Sequence, residues 1–388
     1  MIEVLLLALL PVAAWGGWWF ARGASRRGER QRNRAFSNQY FQGLNYLLNE
    51  QPDKAIQVFL EMAEVNEDTV EMHLALGSLF RRRGEVDRAI RLHQNIISKH
   101  TLDDTQRMQA LLELGEDYMR AGLFDRAERL FSELSTRESL APSALRHLLD
   151  IYQQEKDWEN ALAIAAKLEK ATDEPHGRFM SHFCCELAEL ELKKKKPENA
   201  RKFLTQARRH DAESVRAHFI AAGIAQHKGQ YVEAMEIYEQ IAEIDADYLP
   251  YLLDQYFECA HQSGESERSK SQLAAWVEAH QGISLVLCQA SIIEMEEGAE
   301  KAAELITSSL RSRASVKGLE KLMDLKKNGN HELDSSEDIL HAITKELMAS
   351  QSSYRCAHCG FSGHIHHWQC PSCKQWSTTK IIRGVLGE

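Results

Sequence analysis

Proline is scarce in this chain, with 7 in 388 residues, and so is any excess of positive charge. The shortage of proline, beside a 44% hydrophobic content, excludes a disordered chain and fits an ordered, largely helical one. The formal net charge is −10, and residues 1–34 alone carry Arg22, Arg26, Arg27, Arg30, Arg32 and Arg34 against Glu3 and Glu29, so −14 falls on the remainder. A body that acidic lacks the basic face that phosphates require, which argues against sequence-independent binding to nucleic acid. Also missing are the G-x-x-x-x-G-K-S/T, H-E-x-x-H and G-x-S-x-G patterns. Without a phosphate cradle, an open metal or a nucleophile elbow, the chain reads as a non-enzyme. Cys184, Cys185, Cys259 and Cys288 lack ligand spacing and sit in helical stretches. They read as small buried hydrophobes in a reducing compartment, since neighbours such as Cys184 and Cys185 on a helix point apart and do not pair easily.

One long uncharged run is present, Val4 to Phe20. With Met1 and Ile2 it approaches the ~20 residues needed to span a bilayer as a helix. Trp15, Trp18 and Trp19 fall at its far end, where amphipathic rings favour the headgroup layer, and Arg22, Arg26 and Arg27 come next. The positive-inside rule then places the N-terminal tip outside and the body on the cytoplasmic side. A cleaved signal peptide normally carries its charge before the apolar run, whereas here Glu3 precedes it and the arginines come after.

The rest of the chain repeats. Gly43, Tyr46, Ala55 and Phe59 recur as Gly77, Phe80, Ala89 and His93, then as Gly115, Tyr118, Ala127 and Phe131. The small residue continues at Ala161, Ala200, Ala234, Ser269 and Ala302, with successive intervals of 34, 38, 34, 39, 34, 35 and 33, the last two members matching weakly. A period that returns to 34 resembles the tetratricopeptide repeat, in which a small residue lets two helices approach while an aromatic fills the space nearby. Gly84, Gly122, Gly229 and Gly264 stand where the first helix of a pair should end. Arrays of this kind bind proteins on the face built from their first helices. On that register the partner-facing candidates are Glu71, Leu74, Ser78 and Arg81, then Gln109, Leu112, Glu116 and Met119, then Arg216, Phe219 and Gln226. Periodicity lapses around residues 326–336. In the helix expected next, Ile339, Leu340, Ile343 and Leu347 share one face suited to docking the C-terminal segment onto the array.

That C-terminal segment carries the strongest chemical signal in the chain: Cys356-Ala-His-Cys359 and Cys370-Pro-Ser-Cys373, two C-x-x-C pairs ten residues apart. Two such turns complete a closed tetrahedral tetrathiolate, which leaves no open position for a substrate water and suits either zinc or iron. His358, His364, His366 and His367 are surplus to that ligand set. A module this small should draw much of its folding energy from the ion. The expected architecture is therefore all-α, a tetratricopeptide-repeat superhelix (α-solenoid) with an N-terminal transmembrane helix and a small C-terminal rubredoxin-like or zinc-ribbon metal domain. Its segments are an anchor (1–20), a basic juxtamembrane stretch (21–34), the repeat array (35–325), a boundary loop with a linking helix (326–350) and the metal domain (351–388).

The order of anchor, arginine cluster, repeats and a terminal Tyr354-x-Cys356-x-x-Cys359-Gly360 to Cys370-Pro371-x-Cys373 knuckle resembles the lipopolysaccharide assembly protein B family of Gram-negative bacteria. That resemblance implies an inner-membrane regulator of lipid A synthesis. Such a protein promotes degradation of the committed-step deacetylase by the membrane AAA+ zinc protease. The resemblance also implies other lipopolysaccharide synthesis or transport proteins as partners, tuning by a periplasm-facing inner-membrane regulator, and iron bound in rubredoxin fashion at Cys356, Cys359, Cys370 and Cys373. A scaffold that clusters synthesis enzymes, or a rubredoxin-like redox protein, are the alternatives.

Overall fold

The computed structural model describes residues 69–100, 102–280, 282–328 and 335–388, with single positions between 42 and 58. The apolar run with Trp15, Trp18 and Trp19, the arginine cluster, most of the first repeat and the centre of the 326–336 stretch lie outside the described residues. Among the described residues no helix is long and apolar enough to cross a membrane.

The chain divides into two compact units. The first holds α1 (Val70–Arg82), α2 (Val86–Ile97), α3 (Asp104–Arg120), α4 (Phe124–Leu134) and α5 (Ala141–Glu155). Its helices form antiparallel pairs because the turn after each first helix is chemically fixed. Gly84 and Gly122 adopt φ of 83° and 73°, and the next amide folds back, Glu85 N–H to the Phe80 carbonyl at 2.9 Å and Leu123 N–H to the Tyr118 carbonyl at 2.8 Å. That Schellman closure satisfies carbonyls the helix end would otherwise leave bare. After α5 the same bond runs from Asp157 to Tyr152 at 2.9 Å, and Lys156 takes the left-handed position at φ 59°.

The second unit runs from α6 (Trp158–Thr172) through the pairs α7 (Gly177–Lys193) with α8 (Pro197–His210), α9 (Val215–His227) with α10 (Tyr231–Ile244), α11 (Leu249–Ser263) with α12 (Ser266–Ala279), and α13 (Ile283–Glu297) with α14 (Ala299–Ser312). Next come α15 (Val316–Asn328) and α16 (Ser335–Ser350). The last three residues of α6, 170–172, cluster with the first unit. Gly229 and Gly264 close their turns as expected, while Lys195 replaces glycine after α7 at φ 58°.

The repeat register holds throughout the described chain. Ala89, Ala127, Ala161, Ala200, Ala234 and Ala302 are fully buried and Ser269 nearly so, including the two that matched the pattern least. The paired glycine is as tightly required: a methyl on Gly77 would sit 2.2 Å from His93 Nε2, and one on Gly115 2.6 Å from the Phe131 ring. So the aromatic of the second helix occupies the volume that the small residue of the first leaves vacant.

One expectation fails. Ile339, Leu340, Ile343 and Leu347 of α16 are all exposed, and the terminal module is docked elsewhere. Spacing put the four on one face, but a face only docks where a neighbour is placed to meet it. The module itself is a three-stranded antiparallel sheet in the order β2-β1-β3, with β1 (Tyr354–Cys356), β2 (Ser362–Gly363) and β3 (Thr379–Ile381). Tyr354 pairs with both Gly363 and Ile381.

Candidate metal centre

The module is built as two matching half-turns. Cys356 N–H donates to the Phe361 carbonyl at 2.7 Å and Gly360 N–H to the Cys356 carbonyl at 3.0 Å. In the second half, Cys370 N–H donates to the Gln375 carbonyl at 2.9 Å and Lys374 N–H to the Cys370 carbonyl at 3.0 Å. The residue after the second cysteine of each half must turn left-handed, which Gly360 does at φ 78° and Lys374 at φ 59°.

The halves aim four sulfurs at one point, all within 4.8 Å of one another. Cys356 and Cys373 Sγ are 3.8 Å apart and Cys359 and Cys370 Sγ 3.6 Å, beyond the ~2.05 Å of a disulfide. A tetrahedral ion with metal–sulfur bonds of about 2.3 Å requires sulfurs about 3.8 Å apart, so the donor set fits one closed tetrathiolate ion. The thiols' acidity agrees. Thr378 Oγ1, 3.3 Å away, and the Cys359 and His358 amides pull Cys356 down to about 6, and the Phe361 amide lowers Cys359. Cys373, helped by the Gln375 amide but opposed by burial and the other thiols, is pushed up to about 12. Four crowded thiols cannot all ionise unless a cation takes up the charge. Cys356 and Cys370 are buried and Cys359 is exposed, so one edge of the cluster faces solvent.

The module's tryptophans fasten it to the helices of the second unit. Trp376 stacks on His182 of α7 at 4.7 Å and 19°, and meets Phe183 and Trp158 edge-on at 6.0 Å each. Trp368 stacks on Tyr248, in the 3-10 turn before α11, at 5.6 Å. Between the two indoles lies the Arg216 guanidinium, 6.0 Å from Trp368 and 5.7 Å from Trp376, paired with Glu186 at 2.7 Å and Glu189 at 2.8 Å. A cation that is only 3% exposed is tolerated there because two carboxylates and two aromatic faces replace its water. His182 shares a 2.7 Å hydrogen bond with the Ser377 hydroxyl, and burial, with Arg216 and Arg178 adding to it, pushes its imidazole down to about 3.

The tail continues the attachment. Lys380 pairs with Asp245 at 3.0 Å and Arg383 with Asp247. The Glu388 side chain accepts from Ser284 N–H at 3.1 Å, at the start of α13, and from Lys317 at 2.8 Å. Burial alone would raise the Glu388 carboxyl, but Lys317 and Ser284 hold it below the usual range.

The sequence-derived candidates fall into three groups. Arg216 and Phe219 lie under the module, Phe219 being 6.2 Å from Trp368. Leu74 and Leu112 are buried in helix packing, while Glu71 is exposed and Gln109 and Gln226 are half-buried. Ser78, Arg81, Glu116 and Met119 come together: Ser78 donates to Glu113 at 2.8 Å, and Arg81 reaches Glu113 at 2.8 Å, Glu116 at 2.7 Å and Asp117 at 2.7 Å. Met119 shares with Arg81 and Glu116 the wall of an open cleft. Of the surplus histidines, His358 and His364 are exposed, and His366 is packed among Tyr248, Tyr354 and Trp368, its imidazole pushed down to about 4 chiefly by burial. Sequence reasoning missed Trp158, His182, Phe183 and Tyr248. The available signal was Trp368 and Trp376, two large apolar rings on a polar module with no core to bury them.

Helical pairs of this period carrying a four-cysteine knuckle define a tetratricopeptide-repeat protein with a built-in rubredoxin-type module. Tetratricopeptide repeat families match residues 73–107, 112–175 and 191–254, and the Rubredoxin metal binding domain family matches 354–380. The chain is 36% identical to Lipopolysaccharide assembly protein B of Escherichia coli K12 across 100% of both chains. It is 32% identical to the Haemophilus influenzae protein of that name across 98% of each. It belongs to the lipopolysaccharide assembly protein B family.

Proposed function

We propose that the chain is a single-pass inner-membrane adaptor that limits lipid A synthesis by presenting the committed-step deacetylase to the membrane AAA+ zinc protease. The carrying observation is full-length similarity to relatives named for lipopolysaccharide assembly, joined to a repeat array of the kind that binds proteins. In this reading residues 1–20 anchor the chain, with Trp15, Trp18, Trp19, Arg22, Arg26 and Arg27 at the membrane surface and the body in the cytoplasm. Ser78, Arg81, Glu116 and Met119 then belong to the partner-binding face. Cys356, Cys359, Cys370 and Cys373 hold one metal ion, iron by family resemblance, with zinc the alternative. When bound, that ion neutralises the thiolates and ties the two half-turns together. Arg216, His182 and the two tryptophans then position the module on the array.

Exposure of Cys359 favours one second reading, a rubredoxin-like redox protein. Exchanging iron for zinc separates the two, because an adaptor keeps working and an electron carrier stops.

The division of labour is testable by co-purification from membranes. With residues 1–20 replaced by an unrelated membrane span, the deacetylase should remain bound while protease recovery falls. Undiminished recovery of both would remove the anchor's role in partner contact.

A further inference from the structure

Within the first unit the first helices α1, α3 and α5 border an open cleft of 590 Å³. Its wall carries Arg82 and Arg120, each in the last turn of its helix and each solvent-exposed. The two are 38 residues apart, the same interval that separates Gly77 from Gly115, so they occupy one structural position in successive repeats.

Every other ionic group on the cleft wall is committed internally. Arg81 is held by Glu113, Glu116 and Asp117, and the remaining Glu116 oxygen meets His147 Nε2 at 3.2 Å. Arg82 and Arg120 have no ion-pair partner among the described residues. Helix C-termini favour basic residues on their own account, which explains a cation at each place. It does not explain why both face a cleft whose single carboxylate is already engaged on both oxygens. The same wall holds the half-buried Met119, an adaptable apolar contact, and Gln154, which supplies an amide.

We propose that this cleft is a docking groove for an acidic peptide segment of a partner protein, with Arg82 and Arg120 pairing two carboxylates and Met119 taking an apolar side chain of the same segment. The two exposed arginines stand on a chain of net charge −10, and charge complementarity makes them favour an acidic segment over a basic one. The part-buried Arg81 network fixes α1 against α3 and keeps the two guanidinium groups in register before any partner arrives. This deepens, and rests on, the adaptor reading, since it names the chemistry of the face that reading uses.

The test uses the purified full chain and a fluorescein-labelled peptide of alternating glutamate and leucine, read by anisotropy. Saturable binding should weaken as salt rises. R82Q and R120Q should each reduce affinity by about threefold, and together by about tenfold, as for partly exposed ion pairs. The R82E/R120E variant should lose this peptide and gain one with lysine in place of glutamate, so loss of fold cannot mimic the result. A glutamine-for-glutamate peptide binding equally well, arginine variants binding unchanged, or no saturable binding at all would each overturn the proposal. A deacetylase half-life that responds to loss of the protein while the peptide does not bind would discard the acidic groove and leave the adaptor standing.

Discussion

Replacing Gly115 by alanine sets two effects of opposite sign against each other. Removing a glycine from the interior of α3 gains about 1 kcal/mol of helix propensity. Against that, the new methyl would lie 2.6 Å from Phe131 Cε1 and Cζ, about 1 Å inside ordinary carbon contact at roughly 3.5–4.0 Å. Phe131 is fully buried and stacked on His147 at 4.7 Å, so its ring has little room to retreat. Overpacking of a closed core costs about 1–3 kcal/mol. Because this ring is pinned on both sides the cost falls toward the upper end, for a net loss of about 1–2 kcal/mol. Gly223 in α9 is the control: nothing lies within 4 Å of its added methyl, so the propensity gain stands alone and the variant should be about 0.5–1 kcal/mol more stable. The two glycines sit in different compact units, so a single melting temperature does not separate them. Hydrogen exchange resolved by segment does, with faster exchange across α3 and α4 in G115A and slower exchange across α9 and α10 in G223A. Adding F131L to G115A should recover part of the loss. If G115A instead slows exchange in α3 and α4, the packing account of the repeat is wrong.

Three further outcomes are expected. Stripping metal with a chelator should unfold the module and red-shift the emission of Trp368 and Trp376; metal loss with unchanged emission would show that the sheet holds without the ion. Arg216→Gln leaves Glu186 and Glu189 without their cation, and should loosen the module by about 2–3 kcal/mol once the partial exposure of both glutamates is allowed for, read as faster exchange in β1 and β3. His182 has its imidazole depressed to about 3 in the fold against 6.5 when free, so the unfolded state takes up the proton first and stability falls as pH drops below 6.5. Between pH 6.5 and 5 that single group removes about 2 kcal/mol, and H182F, which keeps the stacking on Trp376, should flatten the dependence; an equal slope in H182F would assign it to other groups.

Much of this was legible because packing rules repeat. A period near 34 located the buried small residues Ala89, Ala127, Ala161, Ala200, Ala234, Ser269 and Ala302, and glycine marked the turns at 84, 122, 229 and 264. The turn at Lys156 was silent, since a lysine in the left-handed region leaves no compositional trace. The four cysteines were readable from spacing alone, because a tetrathiolate fixes its ligands within two short turns. Where the module docks was not readable. The helical face of α16 advertised itself through Ile339, Leu340, Ile343 and Leu347, yet the contact is made by Trp368 and Trp376 against Arg216, His182 and Tyr248, residues at least 120 positions away in sequence. Local periodicity reports that a face is apolar and carries no information about which distant surface meets it. Arg216 and Phe219 illustrate the converse: their register placed them on the first-helix face, and the chain's own module covers them.

The central claim, an anchored adaptor that delivers a client for proteolysis, is tested most directly by the half-life of the lipid A committed-step deacetylase in living cells. Three strains suffice: one with the intact protein, one without it, and one whose protein lacks Met1 to Phe20. The account predicts a short half-life in the first and a lengthened one in both others. An unchanged half-life across all three would contradict it and transfer support to the scaffold or redox reading.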